Sequence, residues 1–202
     1  VVQRASRSKL DGMTGGQVHQ GVVAVVAAHA YHSLEELLAS VSSSGRPPFF
    51  LVLEGVEDPR NFGSLLRTAE AAGVDGVIIP KRRAVGLTAT VAKASAGAVE
   101  YVPVARVVNI ARTLEQLKKE NIWIVAADAG APTEYTEVDL TLPVALVLGG
   151  EGAGLSRLVR EKADFLVRLP MLGRVSSLNV SVAGALLMYE VLRQRRTRGV
   201  HS

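Results

Sequence analysis

Apolar residues in this chain fall in short unbroken runs rather than in strict alternation. FFLVLEGV (49–56), GVIIP (76–80), IWIVAADA (122–129), PVALVLGG (143–150) and DFLVRLP (164–170) are five such runs, and a short run with no polar face fits a strand buried on both sides. Between them the period becomes helical, in NFGSLLRTAEAAG (61–73), NIARTLEQLKKE (109–120), GLSRLVREKA (154–163) and NVSVAGALLMYEVLRQRR (179–196). Strands alternating with helices predict an α/β domain, a mostly parallel sheet with helices on both faces. Ahead of it, GVVAVVAAHAY (21–31) reads as a strand, HSLEELLAS (32–40) as a short helix and SSSGRPP (42–48) as a boundary loop. Residues 1–20 are polar, basic and aperiodic, and read as a linker or extended arm. The division drawn is therefore 1–46 for arm, strand and helix, and 47–202 for the domain.

In open parallel sheets ligands sit beyond the carboxyl ends of the strands. The loops after Val56, Gly150 and Pro170 are thus the places to look for chemistry. The first, EGVEDPRNFGSLLRTAEAAG (54–73), turns at Asp58-Pro59 and carries Asn61 near a helix start, with Gly73 as its stop. Leu65, Leu66, Ala69 and Ala72 form the apolar stripe of that helix, and Arg67 lies off it. A purely structural account makes Asn61 a cap and pairs Arg67 with Glu70 at i, i+3.

The second, LVLGGEGAGLSRL (146–158), has glycines at 149, 150, 152 and 154 that allow close backbone approach. Gly149 and Gly154 have P-loop spacing, but Leu155 stands where that motif needs lysine, and G-x-G-x-x-G fails at the same residue. Glu151 in mid-loop would repel a phosphate, so a neutral or cationic ligand is expected. The third, RLPMLGRVSSLNVSVAGALL (168–187), puts Ser176, Ser177 and Asn179 at the mouth of an otherwise apolar helix. Ser177 or Asn179 can cap it. The backbone of Leu169 and Leu178 can frame an apolar slot for a planar ring.

Composition narrows the chemistry. The 202 residues are 48% hydrophobic and 21% charged, a globular balance. Aromatics are only 4%, which argues against a base-stacking platform. The net charge of +4 leans toward polyanions. No cysteine is present, which excludes disulfides and zinc–cysteine sites and suits a reducing cytoplasm. His19, His29, His32 and His201 lack metal-ligand spacing, so no metal is expected. No apolar run is long enough for a membrane helix. Lys81-Arg82-Arg83 and Arg193 through Arg198 are basic segments that can meet phosphates or simply stay solvated.

Taken together and in order, N-x5-R after the first strand, then LGGEGAGLS, then LPMLGRVSSLNVSVAGALL resemble the three motifs of the SpoU (TrmH-like) branch of the SPOUT RNA methyltransferases, over residues 49–195. SKLDGMTGGQVHQGVVA (8–24) further resembles the linker that follows an N-terminal RNA-binding domain in bacterial 23S rRNA guanosine-2′-O-methyltransferases. By that resemblance residues 1–46 are what remains after such a domain, and the chain, opening on Val1, lacks it.

The resemblance implies an S-adenosylmethionine-dependent enzyme that methylates a ribose 2′-hydroxyl, with a guanosine of 23S rRNA as the specific expectation. A tRNA substrate, or a non-catalytic RNA-binding assembly factor of the same fold, are the alternatives. It implies Gly149, Leu169 and Leu178 as cofactor contacts, and Asn61, Arg67, Glu151, Ser177 and Asn179 as catalytic and structural polar positions. Arg67 is expected either to activate the hydroxyl or to grip the target phosphate. A guanidinium is a poor base near neutrality, which favours the second. A C-terminal trefoil knot and a homodimer belong to the same implication, and no period in the chain speaks for the knot.

Overall fold

The computed structural model describes residues 2–16, 18–24, 29–42 and 45–199. Each of the five expected strands is found: β1 (Phe49–Glu54), β2 (Gly76–Pro80), β4 (Trp123–Ala127), β6 (Val144–Gly149) and β7 (Phe165–Arg168). Two more, β3 (Val104–Val107) and β5 (Thr133–Glu134), complete a seven-stranded sheet of order β3-β2-β1-β6-β4-β7-β5. Every strand pairing in this sheet is parallel. β1 and β6 form the centre, in register from Phe49 opposite Val144 to Glu54 opposite Gly149.

The pleat explains the unbroken apolar runs. Phe49, Leu51 and Leu53 of β1 enter one core layer, and Phe50 and Val52 enter the other. The first layer is covered by α3 (Pro59–Ala71), α4 (Ala89–Ala94) and α7 (Val180–Thr197), the second by α2 (Leu34–Ser42), α5 (Ile110–Lys119) and α6 (Arg157–Lys162). Helices α3 and α7 pack closely because Gly184 has no side chain; a Cβ there would come within 2.5 Å of Leu65 Cδ2.

Three expectations need correction. Residues 1–20 are not wholly irregular, since α1 (Arg7–Met13) forms behind the Ser6 cap, although it buries no residue. The strand expected over 21–31 does not form in its described parts, and residues 25–28 lie outside the described residues. In its place a single bridge pairs His32 with Ala105 at the β3 edge, so an apolar run without a partner strand gains no ladder. Helix α4 and strands β3 and β5 come in addition to the elements that periodicity predicts: all three are short, and Arg106 interrupts the apolar run of β3.

Candidate active site

The carboxyl ends of β1 and β6 are adjacent, and the loops leaving them cross backbone to backbone. A Cβ on Gly150 would lie 2.1 Å from the Gly55 carbonyl oxygen, and one on Gly149 would lie 2.3 Å from the Gly154 carbonyl carbon. Only glycine fits at either place. The loop closes on itself through the Gly154 N–H donating to the Gly150 carbonyl at 3.0 Å, with Gly152 and Gly154 in the left-handed region.

Asp58, not Asn61, caps α3, accepting from the N–H groups of Arg60 and Asn61 at 2.8 Å. Pro59 occupies the first turn, where its missing donor does no harm. The Asn61 side chain is therefore free to reach outward. Its amide donates to the Glu151 carboxylate, and its carbonyl oxygen accepts from the Asn179 amide at 3.1 Å. Asn179 caps α7, accepting from Ser181 N–H at 2.9 Å and Ser181 Oγ at 2.6 Å. One hydrogen-bonded chain thus joins residues 61, 151 and 179 from three distant loops.

Beside this chain lies a cavity of about 620 Å3, lined by Gly149, Glu151, Leu169, Ser177, Leu178 and Asn179 among others. Leu148, Val167, Met171 and Val180 add apolar wall, and its size is that of a small-molecule site. Two cations line it, and both are committed. Arg160 pairs with Asp128 at 3.0 Å, and Arg168 donates to the Ala131 and Pro132 carbonyls and to Glu134. No unpaired lysine or arginine lines the cavity among the described residues. Apolar walls, bare backbone and a carboxylate suit a flat ring joined to a cationic centre better than a phosphate.

Arg67 stands apart. It is exposed on α3, does not line the cavity, and among the described residues its side chain has no hydrogen bond or ion pair, Glu70 included. Ser177 lines the cavity without a hydrogen-bond partner among the described residues and caps nothing. The end of β4, Ala127-Asp128-Ala129, also borders the cavity. Its location beyond a carboxyl strand end points to it by the same rule that singles out the other three loops.

Two family models match the chain: the SpoU rRNA Methylase family over residues 48–189, and RNA 2′-O ribose methyltransferase substrate binding over residues 1–32. A Bacillus subtilis protein named for the TrmH family of tRNA/rRNA methyltransferases is 56% identical over 199 residues, covering 98% of this chain and 80% of that protein. A Staphylococcus saprophyticus protein named for the same family is 50% identical over the same shares. Among solved structures, the SpoU methyltransferase AviRb from Streptomyces viridochromogenes, in complex with the cofactor AdoMet, superposes with a TM-score of 0.71 at 29% identity. That match covers 75% of this chain and 59% of AviRb, so the chain spans about three fifths of that structure. The A. aeolicus TrmH/SpoU tRNA modifying enzyme gives a TM-score of 0.69 at 29% identity, covering 83% of this chain and 86% of that one. All the residues of the 61–151–179 chain and the cavity beside it fall inside the matched segment, and this chain belongs to the SpoU rRNA methylase family.

Proposed function

We propose that this protein transfers a methyl group from S-adenosylmethionine to a ribose 2′-hydroxyl of RNA, a guanosine of 23S rRNA being the expected target. The observation that carries this reading is the chain Asn61–Glu151–Asn179 at the rim of an apolar, glycine-walled cavity. A binding module has no use for three loops converging on one polar line. When bound, the cofactor supplies an activated methyl on a cationic sulfur. The backbone of Gly149, Leu169 and Leu178 would frame its flat ring, and Glu151, fixed by Asn61, would offer the sulfonium a counter-charge.

Methyl transfer is an in-line displacement, so the residues present need only orient the hydroxyl and manage its proton. Ser177, unbonded among the described residues, and Asn179 face the cavity where the ribose would enter. Arg67, having no partner of its own, is available to a phosphate of the RNA as a planar fork. Titration with S-adenosylmethionine in chelator tests the cofactor, and saturable heat is expected. Tight binding of ATP or NAD, with none of the methyl donor, would overturn the assignment. Mapping 2′-O-methylation on RNA from cells lacking the gene identifies the target. Loss from tRNA alone would favour the second reading, which the tRNA modifying enzyme of A. aeolicus supports by its likeness.

Val182, Leu186 and Tyr189 make an exposed stripe at i, i+4, i+7 on α7, each between 43% and 50% exposed, which supports a homodimer through this helix. Sedimentation should give twice the 21.4 kDa chain mass. Residues 1–46 serve as the arm that brings RNA to the domain at 47–202, and the last segments are threaded as a trefoil knot. The place of work is the cytoplasm, where the RNA substrates are. No described helix is long and apolar enough to cross a membrane.

A further inference from the structure

The loop between β2 and α4 carries Lys81, Arg82 and Arg83, all exposed. Among the described residues none of the three has an ion pair or a side-chain hydrogen bond. Several other cations are paired: Arg46 with Asp75, Lys118 with Asp164, Lys162 with Glu115 and Arg198 with Asp139. Three adjacent unneutralised charges repel one another, and only a solvating or anionic partner relieves that.

A solvated charge run needs no fixed backbone, yet this loop is tied on either side of Arg82 and Arg83 by four hydrogen bonds to three segments. Lys81 N–H donates to the Val107 carbonyl at 2.8 Å, and Arg106 Nη2 donates to the Lys81 carbonyl at 2.9 Å. Val85 N–H donates to the Val56 carbonyl at 3.2 Å, which bonds the loop to the segment leading to Asn61. Leu87 N–H donates to the Tyr31 hydroxyl at 2.7 Å, and the Arg106 guanidinium lies 4.7 Å over the Tyr31 ring. Gly86 leaves room for that hydroxyl, since a Cβ there would meet it at 2.8 Å. Arg83 is held at φ 56°, a left-handed conformation costly for a side chain of this size. Such strain persists only where the surroundings over-determine it.

The loop leaves the same sheet edge as the cavity. β2 is next to β1, which is next to β6, so the basic triad is offset from the Gly149 loop by two strand spacings, about 10 Å. That distance suits nucleotides flanking one whose ribose is at the cavity.

We propose that Lys81, Arg82 and Arg83 form a phosphate-binding rim for the RNA backbone, held in place by Tyr31 of the N-terminal segment. This rests on the RNA substrate proposed above. Tyr31 is then a positioning residue that links residues 1–32 to the rim of the site.

The test uses the full chain, its K81A/R82A/R83A variant, a 23S rRNA transcript as probe and binding measured between 50 and 300 mM salt (~6-fold in salt). The variant should lose ~10-fold or more in RNA affinity, and the slope of log affinity against log salt should shrink by about 2, as expected for three lost phosphate contacts. R82K/R83K should keep most of the slope, because lysine serves as a point charge. Y31F, which keeps the ring but removes the acceptor for Leu87 N–H, should bind RNA several-fold more weakly. S-adenosylmethionine titration of every variant should match the parent. Equal RNA affinities and slopes for parent and triple variant would overturn the rim and leave the triad to a non-RNA partner. A parent that binds no methyl donor would instead strike the proposed reaction itself.

Discussion

The two edges of the sheet are built to opposite ends. At the amino edge polar groups are consumed. Asp75, just ahead of β2, accepts from the first N–H of β1 at 2.8 Å and pairs with Arg46, while burial pushes its carboxyl above the usual range. Asp164, just ahead of β7, repeats the device on Ile124 N–H, with Lys118 as its partner. Arg195 reaches in from the end of α7 to the carbonyls of Pro47, Pro48, Leu140 and Leu142 and lies over the Phe49 ring. Burial lowers its pKa to about 10. At the carboxyl edge some polar groups are left over: Arg174, Ser177 and the basic triad have no side-chain partner among the described residues, and neither has Arg67 farther along α3. The difference separates the groups that hold the fold from those kept for a ligand.

The largest effect is expected at Arg195. Arg195→Ala strands four carbonyls and should lower stability by about 3 kcal/mol or more, seen as a lower urea midpoint, with cofactor affinity per folded molecule intact. Arg67→Ala should do the reverse. Its melting should stay within a few tenths of a kcal/mol of the parent, while single-turnover methylation falls ~10²-fold. Arg67→Lys should be nearly as slow, because it keeps the charge and loses the fork. A lysine variant with near-normal rate would mean that charge alone suffices.

Asn179→Ala sits on the line between the two classes. Loss of the cap should cost about 1 kcal/mol, and loss of its bond to Asn61 should slow transfer as well. Should only stability change, the 61–151–179 chain is merely structural. The smallest effect concerns Glu190, whose carboxyl Arg193 and Gln194 hold below its ordinary range. A depressed folded-state pKa stabilises above the unfolded value and the gain is lost as pH falls through the folded one. Glu190→Gln should therefore cost about 1 kcal/mol or less at neutral pH and remove part of the acid dependence below about pH 4.5, read by melting against pH.

Much of this division is legible in the order of the residues. The unbroken runs locate five strands because burial on both faces leaves no polar position. β3 escapes because Arg106 interrupts its four residues, and β5 because two residues carry no period. Ordered motifs bring Asn61, Glu151 and Asn179 together, although 118 positions separate the first from the last. The cap of α3 falls on a neighbour of the residue expected to supply it. Asn61 and Asp58 are both good caps by type, and only the helix start three residues earlier frees Asn61 for Glu151. Arg67 shows the converse limit, since its motif spacing from Asn61 is right but one chain does not bring it to the cavity.

The backbone from Pro170 to Leu178 makes no hydrogen bond to the rest of the described protein. Its amides therefore have nothing to break before they exchange with deuterium, and in the free protein they should label at nearly the rate of an unstructured peptide. A ligand whose ring is held by the backbone of Leu169 and Leu178 would change that in one stroke. The whole stretch would pass from unprotected to protected while the core strands, already slow, stay as they were. This segment would thus report occupancy of the cavity by mass alone, without any assay of the chemistry.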